Sequence, residues 1–219
     1  MLVAARLGAF YDELVRKRCG ERGDMADYQH IVHRFEPVFN NRSRILLLGS
    51  LPSALSRANA FYYGNPRNRF WRVLAASLNE PVPPNEGDPL AAGSPNGAEP
   101  AAATLEQSIA AKRALLLRHG IALWDVIHSC DIKGSSDASI RNVTPADLAR
   151  VLDAAKIERI VCNGGTAGHL YHRYLEEAAG FPAIVLPSTS PANAAWTLER
   201  LIERWQPELS PPRAASRPR

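Results

Sequence analysis

Ile45-Leu46-Leu47-Leu48-Gly49-Ser50-Leu51-Pro52-Ser53 is the stretch from which the fold is read. Four aliphatic residues run without a polar break and stop at a glycine. A short apolar run with no alternation suits a strand buried on both faces, as in a parallel sheet covered by helices. Three further segments read as strands: Ile121 to Ile127, Ile157 to Cys162 and Ala183 to Leu186. Between them the apolar spacing turns helical, and helices are predicted over about 68–78, 104–118, 144–155, 166–178 and 192–205. Thr104-Leu105-Glu106-Gln107 resembles a capping box, and Pro145 suits the first position of a helix. The alternation predicts an α/β fold, a three-layer α/β/α sandwich around a central four-stranded, mostly parallel sheet.

Outward from that core, 219 residues support one sizeable domain. It is expected over 28–206, after an N-terminal extension at 1–27 in which Leu7 to Arg18 has the spacing of one amphipathic helix. Residues 81–103, rich in Pro, Gly, Ala and Ser, read as a flexible insertion, and 207–219 as a disordered basic tail. No apolar run reaches the ~18 residues of a membrane span, and Met1 to Phe10 is too short and too broken by arginine for a signal peptide. Cys19, Cys130 and Cys162 are odd in number and far apart, which argues against a disulfide framework or a zinc ribbon and for a reducing cytoplasm. His169 and His172 lie three apart with no third ligand near and read as surface histidines; no metal site is expected. The net charge of +4 permits a nucleic-acid partner without demanding one.

In sheets of this kind the ligand sits beyond the carboxyl ends of the strands. Those ends are Gly49–Ser53, Asp125–Cys130, Asn163–Gly165 and Pro187–Pro191, all polar or rich in Gly or Pro, so they point to one cleft. Gly49 either lets the backbone approach a ligand closely or simply makes a turn. The segment lacks both Gly-Lys-Ser and the Gly-x-Gly-x-x-Gly pattern, so it is no nucleotide phosphate loop. In Phe61-Tyr62-Tyr63-Gly64-Asn65-Pro66-Arg67-Asn68-Arg69-Phe70-Trp71, aromatics, amides and arginines interleave. Aromatics stack on bases, while Arg and Asn bond phosphates and polar edges. Phe70 and Trp71 read as core; Tyr63 and Asn68 are harder to explain that way. Ser188, Thr189 and Ser190 offer hydroxyls and backbone N–H groups without bulk, as close phosphate approach requires.

Taken in order with Gly120-Ile121-Ala122-Leu123-Trp124-Asp125-Val126-Ile127, Gly134 to Ile140, Asn163-Gly164 and Leu186-Pro187-Ser188-Thr189-Ser190-Pro191-Ala192-Asn193, these segments carry a resemblance. The chain resembles the hypoxanthine-DNA (deoxyinosine) glycosylase family of the uracil-DNA glycosylase superfamily, with a more distant likeness to mismatch-specific uracil-DNA glycosylases. The likeness covers roughly 28–205 apart from the insertion. It implies a uracil-DNA glycosylase-like fold, no cofactor, and hydrolysis of an N-glycosidic bond after the nucleotide is flipped out of the stack. It also implies roles. Tyr63 matches the aromatic that stacks on the extruded base, and Asp125 the position where relatives place an Asn that reads the base edge. Gly49, Ser50 and Asn163 complete the base pocket. Asn68 is the catalytic candidate, orienting water, and Pro52, Ser53, Arg67, Ser188, Thr189, Ser190 and Asn193 are the DNA contacts. Asp125 as a cap at a strand end and Asn68 as a helix cap stay open beside those roles, as does His128 as a residue lining the pocket.

Two positions depart from the superfamily. Leu51 stands where the best-known members carry an Asp and mismatch-specific ones an Asn; Leu186 stands where many carry a His. No paired carboxylates of the sugar-hydrolase type are seen either. The expected function is a monofunctional glycosylase that removes hypoxanthine, with uracil as a second candidate, from DNA containing deaminated bases. With no lysine in the motifs, no Schiff-base chemistry is expected. A monomer is expected. The alternatives are a uracil- or G:U mismatch-directed glycosylase and a non-catalytic nucleic-acid-binding module on the same fold.

Overall fold

A computed structural model of the chain describes residues 28–89, 101–134 and 136–209. The run that opens the sequence reading is β2 (Ile45–Gly49), preceded by β1 (Gln29–Val32), and all five residues of β2 are buried. On one side β2 pairs in parallel with β3 (Ile121–Asp125), on the other with β6 (Arg159–Asn163), and β6 in turn pairs with β7 (Ala183–Leu186). The sheet order β3-β2-β6-β7 is therefore fully parallel. In this register Gly49 stands beside Asp125, and Asn163 beside Leu186. The sheet brings these chemically distinct positions to one edge of the molecule.

Helices α1 (Ala54–Ala58), α2 (Phe70–Ser77), α3 (Leu105–Arg118), α4 (Ala149–Leu152), α5 (Gly165–Tyr174), α6 (Glu176–Ala179) and α7 (Leu198–Leu209) flank the sheet, giving an α/β sandwich. Thr104 caps α3 through a complete capping box with Gln107, as its sequence suggests. Phe70 of α2 meets Trp205 of α7 edge to face at 6.0 Å, and Trp205 Nε1 donates to the Pro187 carbonyl at 3.0 Å. That contact joins the start of α2 to the loop after β7.

A second sheet departs from the sequence reading. Ile121 to Ile127 is not one strand: β3 ends at Asp125, and β4 (Ile127–Ile132) leaves for a three-stranded antiparallel sheet of order β1-β4-β5. Its third strand, β5 (Arg141–Pro145), occupies the place where Thr144-Pro145 was expected to open a helix; the helix α4 begins only at Ala149. Pro145 lies at the last position of an edge strand, where a missing N–H costs no ladder bond. Asp125 thus sits where the two sheets part.

The helix ends differ too. α2 starts at Phe70 rather than Asn68, and α7 spans Leu198 to Leu209 rather than starting near 192. Leu209 is buried, so the ordered core runs past the expected start of the tail at 207. The ends of the 81–103 insertion are tied together: Pro89 bridges Ala102, and Gly87 N–H donates to Ala103 O at 2.8 Å. Residues 90–100 of that insertion, the extension 1–27 with its expected helix, and residues 210–219 lie outside the described residues. No helix among the described residues is long and apolar enough to cross a membrane.

Candidate functional site

The strand ends named from the sequence do enclose one cleft, of about 330 Å³. That is near the lower limit of small-molecule sites, roughly 300–1,000 Å³. Gly49, Ser50, Pro52, Ser53, Tyr63 and Asn68 line it from the first half of the chain. Asp125, Asn163, Ser188 and Ser190 line it from the second. Arg67, Thr189 and Asn193 do not line it.

At the end of β2, a Cβ built on Gly49 would fall 2.1 Å from Asp125 Oδ1 and 3.1 Å from Tyr63 Oη. The space that this glycine leaves is filled by the Asp125 carboxylate, not kept for a ligand as a strand-end glycine suggests. Any side chain at 49 would expel the carboxylate. Asp125 is 4% exposed, and its Oδ2 accepts a hydrogen bond from His33 Nε2 at 3.0 Å. An ionised carboxylate can only accept, so the imidazole nitrogen carries the proton.

Tyr63 has a φ of +50°, an uncommon conformation for a bulky residue that costs about 1–3 kcal/mol. Two contacts hold it there. Its ring stacks on Phe70 at 3.8 Å with 14° between planes, and its hydroxyl accepts from Asn163 Nδ2 at 2.9 Å. Burial, followed by the neighbouring Asp125 charge, pushes the Tyr63 hydroxyl far above the usual phenol range, so it stays protonated.

From Asn163 a bonded chain runs on to Asn68. Asn163 Nδ2 also donates to Thr189 Oγ1 at 2.9 Å, and Asn163 Oδ1 accepts from Thr189 N–H at 3.0 Å. Thr189 Oγ1 passes its own proton to Asn68 Oδ1 at 2.9 Å, where Phe70 N–H also donates at 3.0 Å. Asn68 Oδ1 is therefore saturated, which turns the amide so that Nδ2 is its unspent end. Among the described residues no acceptor meets Asn68 Nδ2. Asn68 is not the helix cap, a position that Arg69 takes without a side-chain bond; its oxygen instead braces the first residue of α2, Phe70, and its nitrogen remains a donor.

Several residues suggested by the sequence as DNA contacts also bond within the protein. Thr189 is fully buried, with its N–H, hydroxyl and carbonyl all bonded inside the protein, so it offers nothing to a phosphate. Asn193 Nδ2 donates to Ser188 O at 2.9 Å and shapes its own loop. Ser188 Oγ accepts from Ser190 N–H, and Ser190 Oγ from Ala192 N–H, so these hydroxyls also serve the turn, although both residues face the cleft. Ser53 Oγ caps α1 through Ser56 N–H at 3.2 Å. Pro52 is buried, with its carbonyl held by Arg57 at 2.8 Å. Asn163 lies in the cleft wall with both its amide protons donated within the protein. Arg67 is exposed, and Ser50 fixes β4 to the cleft by accepting from Ile127 N–H at 3.1 Å.

Two functional neighbours escape sequence reasoning. His33 is one; its bond to Asp125 spans 92 residues and no local pattern marks it. Arg69 is the other. Its guanidinium reaches the carbonyls of Thr189 at 3.3 Å, Ser190 at 2.7 Å, Asn193 at 3.0 Å and also Trp196. An arginine in an aromatic loop invites a phosphate reading, but here the fork clamps the loop after β7 by its main chain. His128, held open as a pocket residue, is not part of the cleft wall. His169 is exposed, and His172 pairs with Glu176 at 3.2 Å on the helix surface. No group of three or more metal-ligating side chains occurs among the described residues. Leu51 lines the cleft and Leu186 is buried, and neither supplies a polar group.

The family model described as the uracil DNA glycosylase superfamily matches residues 36–209. A hypoxanthine DNA glycosylase of Methanosarcina acetivorans is 30% identical over 174 residues, which cover 78% of this chain and 94% of that protein. A hypoxanthine DNA glycosylase of Methanosarcina barkeri is 30% identical over 161 residues, 73% of this chain and 86% of that protein. The solution NMR structure of a candidate uracil DNA glycosylase from M. acetivorans superposes with a TM-score of 0.58 at 29% identity, covering 82% of this chain and 97% of that one.

Proposed function

Because the chain belongs to the hypoxanthine DNA glycosylase family of the uracil DNA glycosylase superfamily, we propose that it flips a deaminated base into this cleft and hydrolyses its N-glycosidic bond. The preferred base is hypoxanthine, with uracil second, and the product is an abasic site. The observation that carries this reading is the buried Asp125 carboxylate at the cleft, with Oδ2 taken by His33 and Oδ1 over Gly49. Hypoxanthine and uracil share a lactam edge, a ring N–H beside a C=O. A carboxylate accepts from that N–H, which guanine and thymine also present, and repels the bare ring nitrogen of adenine and cytosine, so it separates each deaminated base from its parent. An unmet polar partner in a buried pocket costs about 1–3 kcal/mol. The neighbouring C=O is met by a main-chain N–H.

Tyr63, backed by Phe70, stacks on the base, a contact worth roughly 1–3 kcal/mol. Asn68 holds the attacking water through Nδ2, donating to its oxygen. It cannot deprotonate the water, so the path that suits it is dissociative, with the sugar cation forming before water adds. Arg67 and the loop that Arg69 clamps meet the phosphates; main-chain N–H groups, exposed cations and the O–H protons of Ser188 and Ser190, whose oxygens only accept within the turn, supply those contacts.

A non-catalytic binding module is the second reading, favoured by the absence of polar groups at Leu51 and Leu186. Labelled oligonucleotides carrying inosine, uracil, xanthine or a normal base, treated with the protein and then alkali, separate the readings. Breaks chiefly at inosine support the proposal, and breaks chiefly at uracil shift it to a uracil-directed enzyme. Binding with no breaks leaves the module.

A further inference from the structure

We propose that His33 is a positioning residue that sets base selection through Asp125, an inference that rests on the glycosylase reading above. His33 follows β1 and precedes residue 36, where the family match begins. Its main-chain N–H donates to His128 O at 2.7 Å, which anchors it against β4. Its ring packs on Phe35 at 4.2 Å between centroids and lies 5.8 Å from Tyr62. The imidazole and the Asp125 carboxylate are sealed together, with side-chain exposures of 2% and 5% at a separation of 3.0 Å.

The consequence is chemical. Oδ2 is held by His33, which fixes the carboxylate with Oδ1 over Gly49 as an acceptor at the cleft. A fixed acceptor selects a base that presents a ring N–H. Remove the His33 donor and the carboxylate is a buried charge without compensation. It then rotates out of register. With Oδ1 displaced, nothing in its place favours a ring N–H over the bare ring nitrogen of adenine or cytosine. His33 touches no substrate; it keeps Oδ1 in place.

The test uses the full chain and single-turnover excision from duplexes containing inosine, with matched adenine duplexes as the reference. His33→Phe retains an aromatic ring for packing and loses the donor. His33→Gln retains an amide donor of comparable reach. The expected result is a roughly ten- to hundredfold loss of inosine excision in His33→Phe, a smaller inosine-to-adenine ratio, and recovery of most of both in His33→Gln. If His33→Phe does not fold, His33→Asn, whose amide is too short to reach Oδ2, takes its place. Wild-type rate and ratio in the donorless variant, or a folded Gln variant no better than Phe, would overturn the inference alone. A wild-type protein that cuts none of the deaminated duplexes would overturn the glycosylase reading and this inference with it.

Discussion

Thr189 Oγ1 donates to Asn68 Oδ1 at 2.9 Å across 121 residues of chain, and so the loop after β7 decides which end of the Asn68 amide is free. Thr189→Val keeps the shape and removes the hydroxyl. Asn163 Nδ2 then loses one acceptor and Asn68 Oδ1 one donor, both in a partly buried setting. The expected cost is about 1–3 kcal/mol of stability with a fall in turnover of up to ~10², because the amide is no longer held. Denaturant unfolding and single-turnover excision measure the two effects; unchanged turnover would show that the Thr189 hydroxyl is structural only.

Asn68→Ala removes both the brace at α2 and the free donor. Turnover should fall by ~10²–10³, while the lost bonds of its oxygen to Phe70 N–H and the Thr189 hydroxyl cost about 1–3 kcal/mol and leave the protein folded. Asn68→Asp is more telling. Its carboxylate can still accept from Thr189 and Phe70, but the second oxygen accepts where Nδ2 donated. Loss of activity in Asn68→Asp supports positioning by donation. A gain in activity would mean that a base at this position helps, contrary to the dissociative path.

Gly49→Ala places a methyl where Asp125 Oδ1 now lies, 2.1 Å away. The carboxylate must move, and a displacement of about 1 Å at a reacting site costs ~10² in rate. Excision of inosine should drop by that order with little change in DNA affinity, since the phosphate contacts are elsewhere. Gel-shift affinity and excision rate, measured on the same preparation, separate the two. Equal rates in variant and wild type would remove Asp125 from base recognition.

Arg69→Lys keeps the charge but loses the fork that spans the carbonyls of Thr189, Ser190, Asn193 and Trp196. The loop after β7 should open to amide exchange and limited proteolysis, and activity should fall together with DNA affinity. A loop as protected as in the wild type would show that the Trp205 bond to Pro187 suffices to hold it.

DNA affinity should weaken steeply with salt, log K falling by about 0.9 per neutralised phosphate for each unit of log salt. Arg67→Ala should lower that slope by about 1 while leaving base preference intact. An unchanged slope would remove Arg67 from the phosphate contacts.

Much of the fold was legible in the chain. Ile45 to Leu48 and Ala183 to Leu186 announce strands by unbroken apolar runs, Ile157 to Cys162 announces one that begins only at Arg159, and Thr104 with Gln107 writes a helix start into four residues. β5 was not legible, because Thr144-Pro145 has the local chemistry of a helix start and only pairing with β4 makes it a strand. In the site, Gly49, Asp125 and Asn163 stand at strand ends, Tyr63 and Asn68 were named with the family resemblance, and the structure gathers all five into one cleft. What each polar atom does was not legible. Thr189 reads as an exposed hydroxyl in a Ser/Pro turn, and only its burial shows it as an internal strut.

The sequence by itself determined the parallel sheet and the convergence of its strand ends, because periodicity and turn chemistry act between neighbours in the chain. Tertiary structure alone decided that His33 holds Asp125, that Arg69 grips a loop rather than a phosphate, and that Asn68 turns its nitrogen outward. Those outcomes depend on side-chain hydrogen bonds between residues about a hundred positions apart. Each bond forms only because burial removes water as the competing partner, and burial belongs to the assembled fold rather than to any local stretch of residues.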